Sequence, residues 1–317
     1  MKEKILQLLN ENNYTSGEQI AKQLRLSRTA VWKQIQNLKK NGYKIEAVKN
    51  RGYKLISKPD TPFPEEIKYD LQTKIIGKKI IYLNIVDSTN SYAKKLIRKN
   101  IDEGTVVIAE VQTKGRGRKN RRWFSPEGGL WFSIILYPNI PPYHSMLVTM
   151  TVSTSIAYAV KKTIGVKPVI KWPNDLLINN KKVCGVLTEL DAEMDKINYC
   201  VVGVGINVNN EINDEIKDIA TSLCVENNDT PVSRVELLKQ ILCEFDKNYH
   251  RLKQGDNIYI RDLWFSFSNI IGKKIRVMFQ NNVVEGIVSD VDDMGCLIVN
   301  TSKGDIIRIV TGDVSYL

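Results

Sequence analysis

The chain has 317 residues, of which 43% are hydrophobic and 26% are charged, and its net charge is +11. This is the composition of a soluble globular protein, and the length predicts two or three domains. Five cysteines without CxxC spacing and only two histidines argue against a zinc site and indicate reduced, cytosolic thiols. Since no apolar run follows the basic residues of the N-terminus, we expect no secretory signal and a cytoplasmic protein.

The excess positive charge is concentrated at the N-terminal end. Residues 1–60 contain 13 Lys and Arg against 5 Asp and Glu, a net charge of +8, whereas residues 61–317 carry only +3. This uneven distribution is typical of a small nucleic-acid-binding module.

The N-terminal segment contains three predicted helices. The first covers 2–12, where apolar residues recur at helical spacing. A second begins at Ser16, with Gln19 completing a capping box, and a third is capped by Ser27. Two short alternating runs then predict strands joined by a turn at 49–52. Three helices followed by a hairpin are typical of a winged helix-turn-helix.

The third helix and the hairpin supply the candidate DNA contacts. Early residues of a recognition helix face base edges, and later residues face phosphates. The candidates are Ser27, Arg28, Thr29, Trp32, Lys33, Lys39, Lys49 and Arg51. Trp32 could instead pack in the core, and winged helices also bind proteins, but the local charge favours DNA.

Downstream of a predicted linker at 60–64, helical and strand patterns mix, and from about residue 270 the pattern is all strand. The chain is therefore predicted to be an α+β protein with three domains. The predicted domains are a winged helix-turn-helix at 1–60, a mixed α/β domain at 65–268 and a small β-barrel at 269–317.

One long stretch could be mistaken for a membrane span. From Gly128 to Val160 no residue is charged. However, prolines interrupt it at 138–142, and Ser and Thr are frequent on both sides. A buried strand followed by a buried helix fits this pattern better than a span.

Residues 112–126 form the most informative segment, because six of its fifteen positions are cationic and glycines 115 and 117 lie between the first cations. Glycine adds to the backbone entropy lost on ordering, and a solvated charge run does not need it. A loop that wraps amides and guanidinium groups around an anion does. A flexible basic arm for nucleic acid remains the alternative for this segment by itself.

Four further elements carry polar or glycine residues at unusual places. Asp-Ser-Thr-Asn at 87–90 follows a predicted strand and has more hydrogen-bonding side chains than helix capping requires. Lys-Trp-Pro-Asn-Asp at 171–175 combines a cation, an aromatic ring, an amide and an acid, although a turn would explain Pro-Asn-Asp. Lysines at 181–182 precede a strand. Two glycines interrupt the apolar strand at 202–207, and these glycines indicate that a ligand lies on the backbone of that strand.

Taken in this order, the elements resemble those of the bifunctional biotin–protein ligases that also repress biotin synthesis and transport genes. The matching residues are Asp-Ser-Thr-Asn at 87–90, Gly-Arg-Gly-Arg at 115–118, Trp-Phe-Ser-Pro at 123–126, Lys-Trp-Pro-Asn-Asp at 171–175, Lys182, Gly185 and Gly-Val-Gly-Ile-Asn at 203–207. The winged helix and the C-terminal strands match too, so the resemblance covers the whole chain. It implies a ligase domain of the biotin/lipoate ligase type and an SH3-like C-terminal barrel.

The resemblance also implies a two-step reaction with ATP, Mg²⁺ and biotin. Biotin and ATP give biotinyl-5′-AMP and pyrophosphate, and the biotinyl group then passes to a lysine of a biotin carboxyl carrier protein, which releases AMP. The implied catalytic residues are Lys182 and Arg118. Biotin contacts are implied for Ser88, Thr89, Asn90, Gln112, Gly115, Arg116, Gly117, Arg118, Lys182, Gly185, Leu187 and Gly203. Nucleotide and metal contacts are implied for Lys171, Trp172, Asn174, Asp175 and Asn207, with Asp175 as the Mg²⁺ ligand.

The implied partners are the carrier protein, operator DNA and a second copy of the chain, with no membrane. In such a protein the adenylate is also the corepressor, which favours a homodimer that binds two operator half-sites. A biotin-sensing regulator without ligase activity and a lipoate ligase are the alternatives. Intact Lys171 and Lys182 argue against the first alternative, and the Gly-Arg-Gly-Arg segment argues against the second.

Overall fold

The computed structural model describes residues 1–9, 13–279 and 282–317, and these form two compact units, Met1–Tyr69 and Asp70–Leu317. Among these residues, no helix combines the length and the apolar character needed to cross a bilayer. The uncharged stretch that resembles a span instead forms a strand and a helix, as predicted.

The first unit is a helical core with a two-stranded antiparallel sheet. Its elements are α1 (Lys2–Leu8), α2 (Gly17–Leu24), α3 (Arg28–Lys40), β1 (Lys44–Val48), β2 (Gly52–Ser57) and α4 (Pro64–Lys68). The Ser16–Gln19 capping box and the Ser27 cap are confirmed. The first helix, predicted over 2–12, ends at Leu8 because the backbone of Leu9 is extended, and residues 10–12 lie outside the described residues.

The N-terminal segment is joined to the hairpin next to the turn. Thr15 and Tyr53 exchange two backbone hydrogen bonds of 2.9 Å. This close approach requires Gly52, which has φ +110°, because a Cβ there would lie 2.2 Å from the Thr15 carbonyl oxygen. The hairpin is thereby held against the helical part of its own unit.

The first unit extends to Tyr69, beyond the predicted limit at residue 60. Phe63, in the predicted linker, stacks on Tyr43 with ring centroids 6.3 Å apart. The Tyr43 hydroxyl group donates a 2.9 Å hydrogen bond to Glu66 in α4. These contacts make the segment after residue 60 part of the first unit, since an aromatic stack and a buried hydrogen bond hold it there.

The second unit is built on a mixed seven-stranded sheet in the order β3-β4-β5-β9-β8-β7-β6. Its strands are β3 (Ile80–Val86), β4 (Val106–Gln112), β5 (Leu130–Leu136), β6 (Val169–Lys171), β7 (Asp175–Ile178), β8 (Lys181–Ala192) and β9 (Ile197–Ile206). Only β3 and β4 pair in parallel among the described strands of this sheet. Strand β5 is buried at every position, which explains why its residues are apolar apart from Ser133.

Helices and a second sheet complete this unit. The helices are α5 (Thr89–Ile97), α6 (Ser145–Ile164), α7 (Leu223–Glu226), α8 (Arg234–Lys253) and α9 (Asn257–Phe265), with α6 packed against α8 and α9. The C-terminal sheet contains β10 (Lys274–Phe279), β11 (Asn282–Val291), β12 (Leu297–Thr301), β13 (Ile306–Ile309) and β14 (Val314–Tyr316). It is antiparallel in the order β13-β12-β11-β10-β14. The predicted fold class is confirmed.

Candidate functional site

A cavity of about 540 Å³ lies over β8 and β9 in the second unit. It is bounded by the start of α5, the 115–124 loop, the 211–220 segment and Asp313, which immediately precedes β14. The predicted site residues that line it are Ser88, Thr89, Asn90, Gln112, Arg116, Gly117, Arg118, Asn174, Asp175, Lys182, Gly185, Leu187, Gly203 and Asn207. The fold therefore brings together residues that are more than a hundred positions apart in sequence.

Three predicted site residues are absent from the cavity lining. The Trp172 side chain is buried, and its Nε1 donates a 3.0 Å hydrogen bond to the Gly295 carbonyl oxygen. The Lys171 ammonium group lies 5.4 Å from the ring centre of Tyr316. Gly115 supports the loop, because a Cβ there would lie 2.4 Å from the Trp123 carbonyl oxygen. The ligand contacts assigned to these residues stay predictions.

One end of the cavity is lined by uncharged hydrogen-bonding groups. The Thr89 amide and hydroxyl groups donate to Gln112 Oε1 at 2.8 and 3.1 Å. Gln112 Nε2 in turn donates to Ser125 Oγ at 2.9 Å. Ser88 occupies the N-cap position of α5, yet within the described structure its side chain makes no capping hydrogen bond. Helix capping therefore does not explain this run of polar residues.

The glycines of β8 and β9 form the floor of the cavity. Gly185 pairs with Gly205 across the two strands. A Cβ on Gly205 would lie 2.4 Å from Trp123 Nε1, and one on Gly203 would lie 2.3 Å from Asn90 Oδ1. The close approach predicted for these glycines is real, but in this structure side chains of the same chain make it. The contact of Gly203 with a ligand stays a prediction.

The other end of the cavity is cationic. Lys182 Nζ lies 2.7 Å from Asp175 Oδ1 and 5.1 Å from the ring centre of Trp123. Arg118 Nη1 donates a 3.1 Å hydrogen bond to Asn174 Oδ1. A lysine and an arginine thus face the same space, each oriented by a neighbour from the β6–β7 turn or β7.

Asp313 receives the cations of the loop. It lies 3.5 Å from Arg118 Nη1 and 3.2 Å from Lys119 Nζ, and it also pairs with Arg121. Burial raises the pKa of the Asp313 carboxyl group, but the hydrogen bond from Lys119 and the charges of Arg118 and Arg121 outweigh burial and hold the pKa below its ordinary value. The loop is thereby joined to the C-terminal sheet.

Asn207 organises the segment that follows β9. Its Nδ2 donates to the Thr221 carbonyl oxygen at 3.1 Å, and its Oδ1 accepts from Asn210 Nδ2 at 3.3 Å. The Lys182 backbone pairs with the same segment, donating to the Ile219 carbonyl oxygen at 2.8 Å. The amide of Asn207 is thus engaged within the protein and shapes the cavity wall beside Lys182.

The buried cysteine beside the cavity and the placement of the His, Cys, Asp and Glu side chains limit which reactions the cavity can support. Cys184 is fully buried behind the cavity, and burial raises the pKa of its thiol, which disfavours the nucleophilic thiolate. Across the described parts of the chain, no three or more His, Cys, Asp and Glu side chains converge on a metal position. The cavity is therefore suited to binding an anion among cations rather than to thiolate chemistry.

In the first unit, the candidate DNA-binding residues are exposed. Arg28 and Thr29 begin α3, with Lys33 one turn later. Trp32 is 52% exposed, so it does not pack in the core. Arg51 lies 4.5 Å from the ring centre of Tyr14, which orients the guanidinium group on the hairpin. These side chains are accessible to a polyanion.

The sequence interpretation missed several residues that shape the site. Trp123 was identified only as part of a motif, although it covers Gly185 and Gly205. Ser133 lies in the otherwise apolar strand β5, and Asp313 lies in the connection between β13 and β14. The one polar residue inside the apolar run of β5 was a usable signal for Ser133, whereas Asp313 had none.

Three family models match the chain. The biotin/lipoate A/B protein ligase family matches residues 82–207, an HTH domain matches 2–54, and the biotin protein ligase C-terminal domain matches 270–317. Every residue that lines the cavity, except the segment at 210–220 and Asp313, falls within the first of these matches.

Curated proteins and solved structures agree with these matches. The bifunctional ligase/repressor BirA of Bacillus subtilis (strain 168) is 40% identical over 96% of this chain and 94% of its own length. The protein of the same name from Escherichia coli (strain K12) is 27% identical over 93% of this chain and 91% of its own length. The biotin protein ligase from Aquifex aeolicus in complex with biotin and ATP aligns with a TM-score of 0.63 at 32% identity, covering 76% of this chain and 99% of that one.

Proposed function

This chain belongs to the family of bifunctional biotin–protein ligases and repressors, and from that premise we propose how its cavity carries out the ligation. The chain is an ATP-dependent biotin ligase with an attached DNA-binding repressor domain. The biotin carboxylate displaces pyrophosphate from the α-phosphate of ATP to give biotinyl-5′-AMP. The amine of a lysine on a biotin carboxyl carrier protein then takes the biotinyl group and releases AMP.

The observation that carries the proposal is the polarity of the cavity. Uncharged hydrogen-bonding groups of Thr89 and Gln112 lie at one end, and Lys182 and Arg118 lie at the other. Biotin has a neutral ureido head and a carboxylate tail, so it matches this polarity in one orientation. Ser88, Thr89, Asn90, Gln112, Arg116, Gly203 and Leu187 then surround the head, and Lys182 meets the carboxylate.

The first step requires one anion to attack another. Two unit charges about 4 Å apart repel each other by roughly 4 kcal/mol at an effective dielectric constant of about 20. Lys182 and Arg118 offset this repulsion with charges that are already oriented by Asp175 and Asn174. Asn174, Asp175 and Asn207 form the nucleotide side of the cavity. The nucleotide contacts of Lys171 and Trp172 and the biotin contact of Gly115 remain part of the proposal, although these three residues do not line the cavity in this structure.

Mg²⁺ is part of the proposal, and the donor set fits it. This ion is commonly held by one or two carboxylates while substrate phosphates and water complete its shell, so a protein cage of three ligands is not needed. Asp175 lines the cavity and would hold the ion when ATP is present. The bound ion would supply further neutralisation of phosphate charge.

The 115–124 loop protects the intermediate. Biotinyl-5′-AMP is a mixed anhydride that water hydrolyses, so a covering segment is functionally required. The loop lies across the cavity and is joined to Asp313 on its far side. Gly115 allows the loop backbone to approach the Trp123 carbonyl oxygen closely, and the loop arginines line the space that the adenylate would occupy.

Repression is proposed to follow from the same intermediate. The adenylate favours a homodimer, and the dimer binds two operator half-sites through Arg28, Thr29, Lys33 and Arg51. The exposure of these residues and of Trp32 supports this assignment. A gel shift with DNA from upstream of biotin genes, with and without biotin plus ATP, tests it, and adenylate-independent binding would contradict it.

Transfer of labelled biotin to a carrier domain with ATP and Mg²⁺ tests the ligase. We expect transfer, and competition by unlabelled biotin but not by lipoate. A folded protein that binds biotin without transferring it would be a regulator lacking ligase activity, and preference for lipoate would make it a lipoate ligase. Either result would overturn the proposed reaction.

A further inference from the structure

Glu189 connects three parts of the second unit beside the end of the cavity that contains Thr89 and Gln112. It lies on β8 opposite Val201, two residues beyond the cavity-lining Leu187. Its Oε1 accepts a 2.8 Å hydrogen bond from Lys94 Nζ, and its Oε2 accepts one of 2.8 Å from Asn90 Nδ2. Arg116 Nη2 lies 3.3 Å from Oε2. One carboxylate thus joins the sheet, α5 and the 115–124 loop.

Glu189 sets the orientation of the Asn90 amide. An ionised carboxylate can only accept hydrogen bonds, so Asn90 must present its NH₂ group to Glu189. The Asn90 carbonyl oxygen then faces Ser133, whose hydroxyl group donates to it at 2.6 Å. The same amide lies directly on Gly203, where a Cβ would be only 2.3 Å from Asn90 Oδ1. Asn90 Nδ2 also donates to the Leu187 carbonyl oxygen at 3.4 Å, so Glu189 accepts the shorter of the two hydrogen bonds that fix which polar atoms line this end of the cavity.

Glu189 also holds Arg116, the first arginine of the Gly-Arg-Gly-Arg segment. The Arg116 guanidinium group has Ser91 Oγ as a further neighbour at 3.4 Å. Burial raises the pKa of the Glu189 carboxyl group, but the hydrogen bonds from Lys94 and Asn90 and the charge of Arg116 outweigh burial and hold the pKa below its ordinary value. The carboxylate is therefore charged near neutral pH and attracts the loop arginine.

We propose that Glu189 is a positioning residue for biotin binding, which orients Asn90 and holds Arg116 over the head of the substrate. It acts through these two side chains, since it lies behind Asn90 and is not part of the cavity lining. The inference rests on the proposed function, in that the uncharged end of the cavity is the end that binds the ureido head.

Glu189→Gln tests the proposal because it keeps the size of the side chain and removes its charge. Loss of a hydrogen bond to a charged group corresponds to about tenfold to hundredfold in affinity. We expect Glu189→Gln to raise the KM for biotin by at least about tenfold, and to raise the Kd for biotin, measured by calorimetry, by the same factor. The KM for ATP and kcat should change less than about threefold. Asp191→Asn is the matched control, because Asp191 is an exposed carboxylate on the same strand that accepts from Asn198.

A double-mutant cycle with Arg116→Met separates positioning from a general structural role. If Glu189 acts through Arg116, the rise in KM for biotin in the double mutant is smaller than the product of the two single effects. Lower kcat with unchanged KM for biotin, or equal effects of Glu189→Gln and Asp191→Asn, would overturn the positioning role.

The wild type is first tested for biotin-dependent exchange of pyrophosphate with ATP. Failure of this exchange refutes the proposed function, whereas exchange with normal biotin binding by Glu189→Gln refutes the positioning role alone.

Discussion

Replacing Asp313 with Asn should loosen the loop that covers the cavity. Asp313 is the shared partner of Arg118, Lys119 and Arg121, and the substitution removes its charge while keeping its shape. With side chains 22% and 32% exposed, Arg118 and Asp313 form the least exposed of the three pairs, whereas Arg121 is 69% exposed. All three loop cations lose their common anion at once.

The size of the effect follows from this partial exposure. Exposed ion pairs contribute about 0.2–1 kcal/mol each, so three pairs on one carboxylate are worth roughly 1–2 kcal/mol. A difference of that size corresponds to a factor of about 5–30 in an equilibrium constant. We expect Asp313→Asn to increase the release rate of preformed biotinyl-5′-AMP by about that factor, with little change in the melting temperature.

A chase experiment with labelled adenylate measures the release rate, and its dependence on salt adds a second test. Salt screens partly exposed charges, so wild-type release should accelerate with ionic strength more than release from Asp313→Asn. Asp305→Asn, which changes an exposed aspartate in the turn between β12 and β13, is the control. If Asp313→Asn releases the adenylate at the wild-type rate with the wild-type salt dependence, the loop is not held by Asp313.

The pH dependence of this contact has a defined sign. Since the pKa of Asp313 is lowered in the folded protein, its contribution is complete above the ordinary aspartate pKa and is lost as pH falls through the lowered value. Wild-type release should therefore be independent of pH near neutrality and should accelerate only in acid. Asp313→Asn should lack this acid-dependent acceleration.

Three other predictions follow from the site and the two units. Lys182→Ala should lower the rate of adenylate formation by about 10²–10³, because it removes a preoriented cation, as measured by pyrophosphate exchange. Gly205→Ala should displace the Trp123 indole, since the new Cβ would lie 2.4 Å from Nε1, and should change tryptophan emission and weaken biotin binding. Removing residues 1–69 should abolish operator binding in a gel shift while biotin transfer continues, because the two units are separately compact.

For each of these three predictions, one experimental outcome would contradict the reasoning. Lys181→Ala is the control for Lys182, because its ammonium group donates to the Lys217 carbonyl oxygen, and equal losses in both variants would contradict the role of Lys182. Unchanged emission and unchanged biotin affinity in Gly205→Ala would mean that Trp123 does not depend on the glycine. A folded 70–317 fragment without transfer activity would show that the first unit is needed for catalysis.

Much of the fold could be predicted from the sequence, because local patterns correspond directly to its elements. The Ser16–Gln19 capping box and the Ser27 cap mark helix starts by backbone hydrogen bonding alone. The uncharged run at 128–160 was correctly divided into β5 and α6, since prolines interrupt it. The first unit extends to Tyr69 because Phe63 stacks on Tyr43 across twenty residues, a contact that no local pattern reveals.

The order of the motifs in the sequence by itself indicated the family and most of the residues that line the cavity. Each motif is a short segment whose glycines and polar residues can be recognised without knowing the fold. The tertiary structure decided which groups hold those residues in place. Asp313 reaches the 115–124 loop across nearly two hundred residues, and Glu189 on β8 contacts Asn90 of α5 and Arg116 of the loop. The tertiary structure also placed Lys171 beside the ring of Tyr316, and it buried the Trp172 side chain in the interior. The physical reason is that ion pairs and close packing depend on distance in space, which sequence spacing does not encode for residues on separate elements.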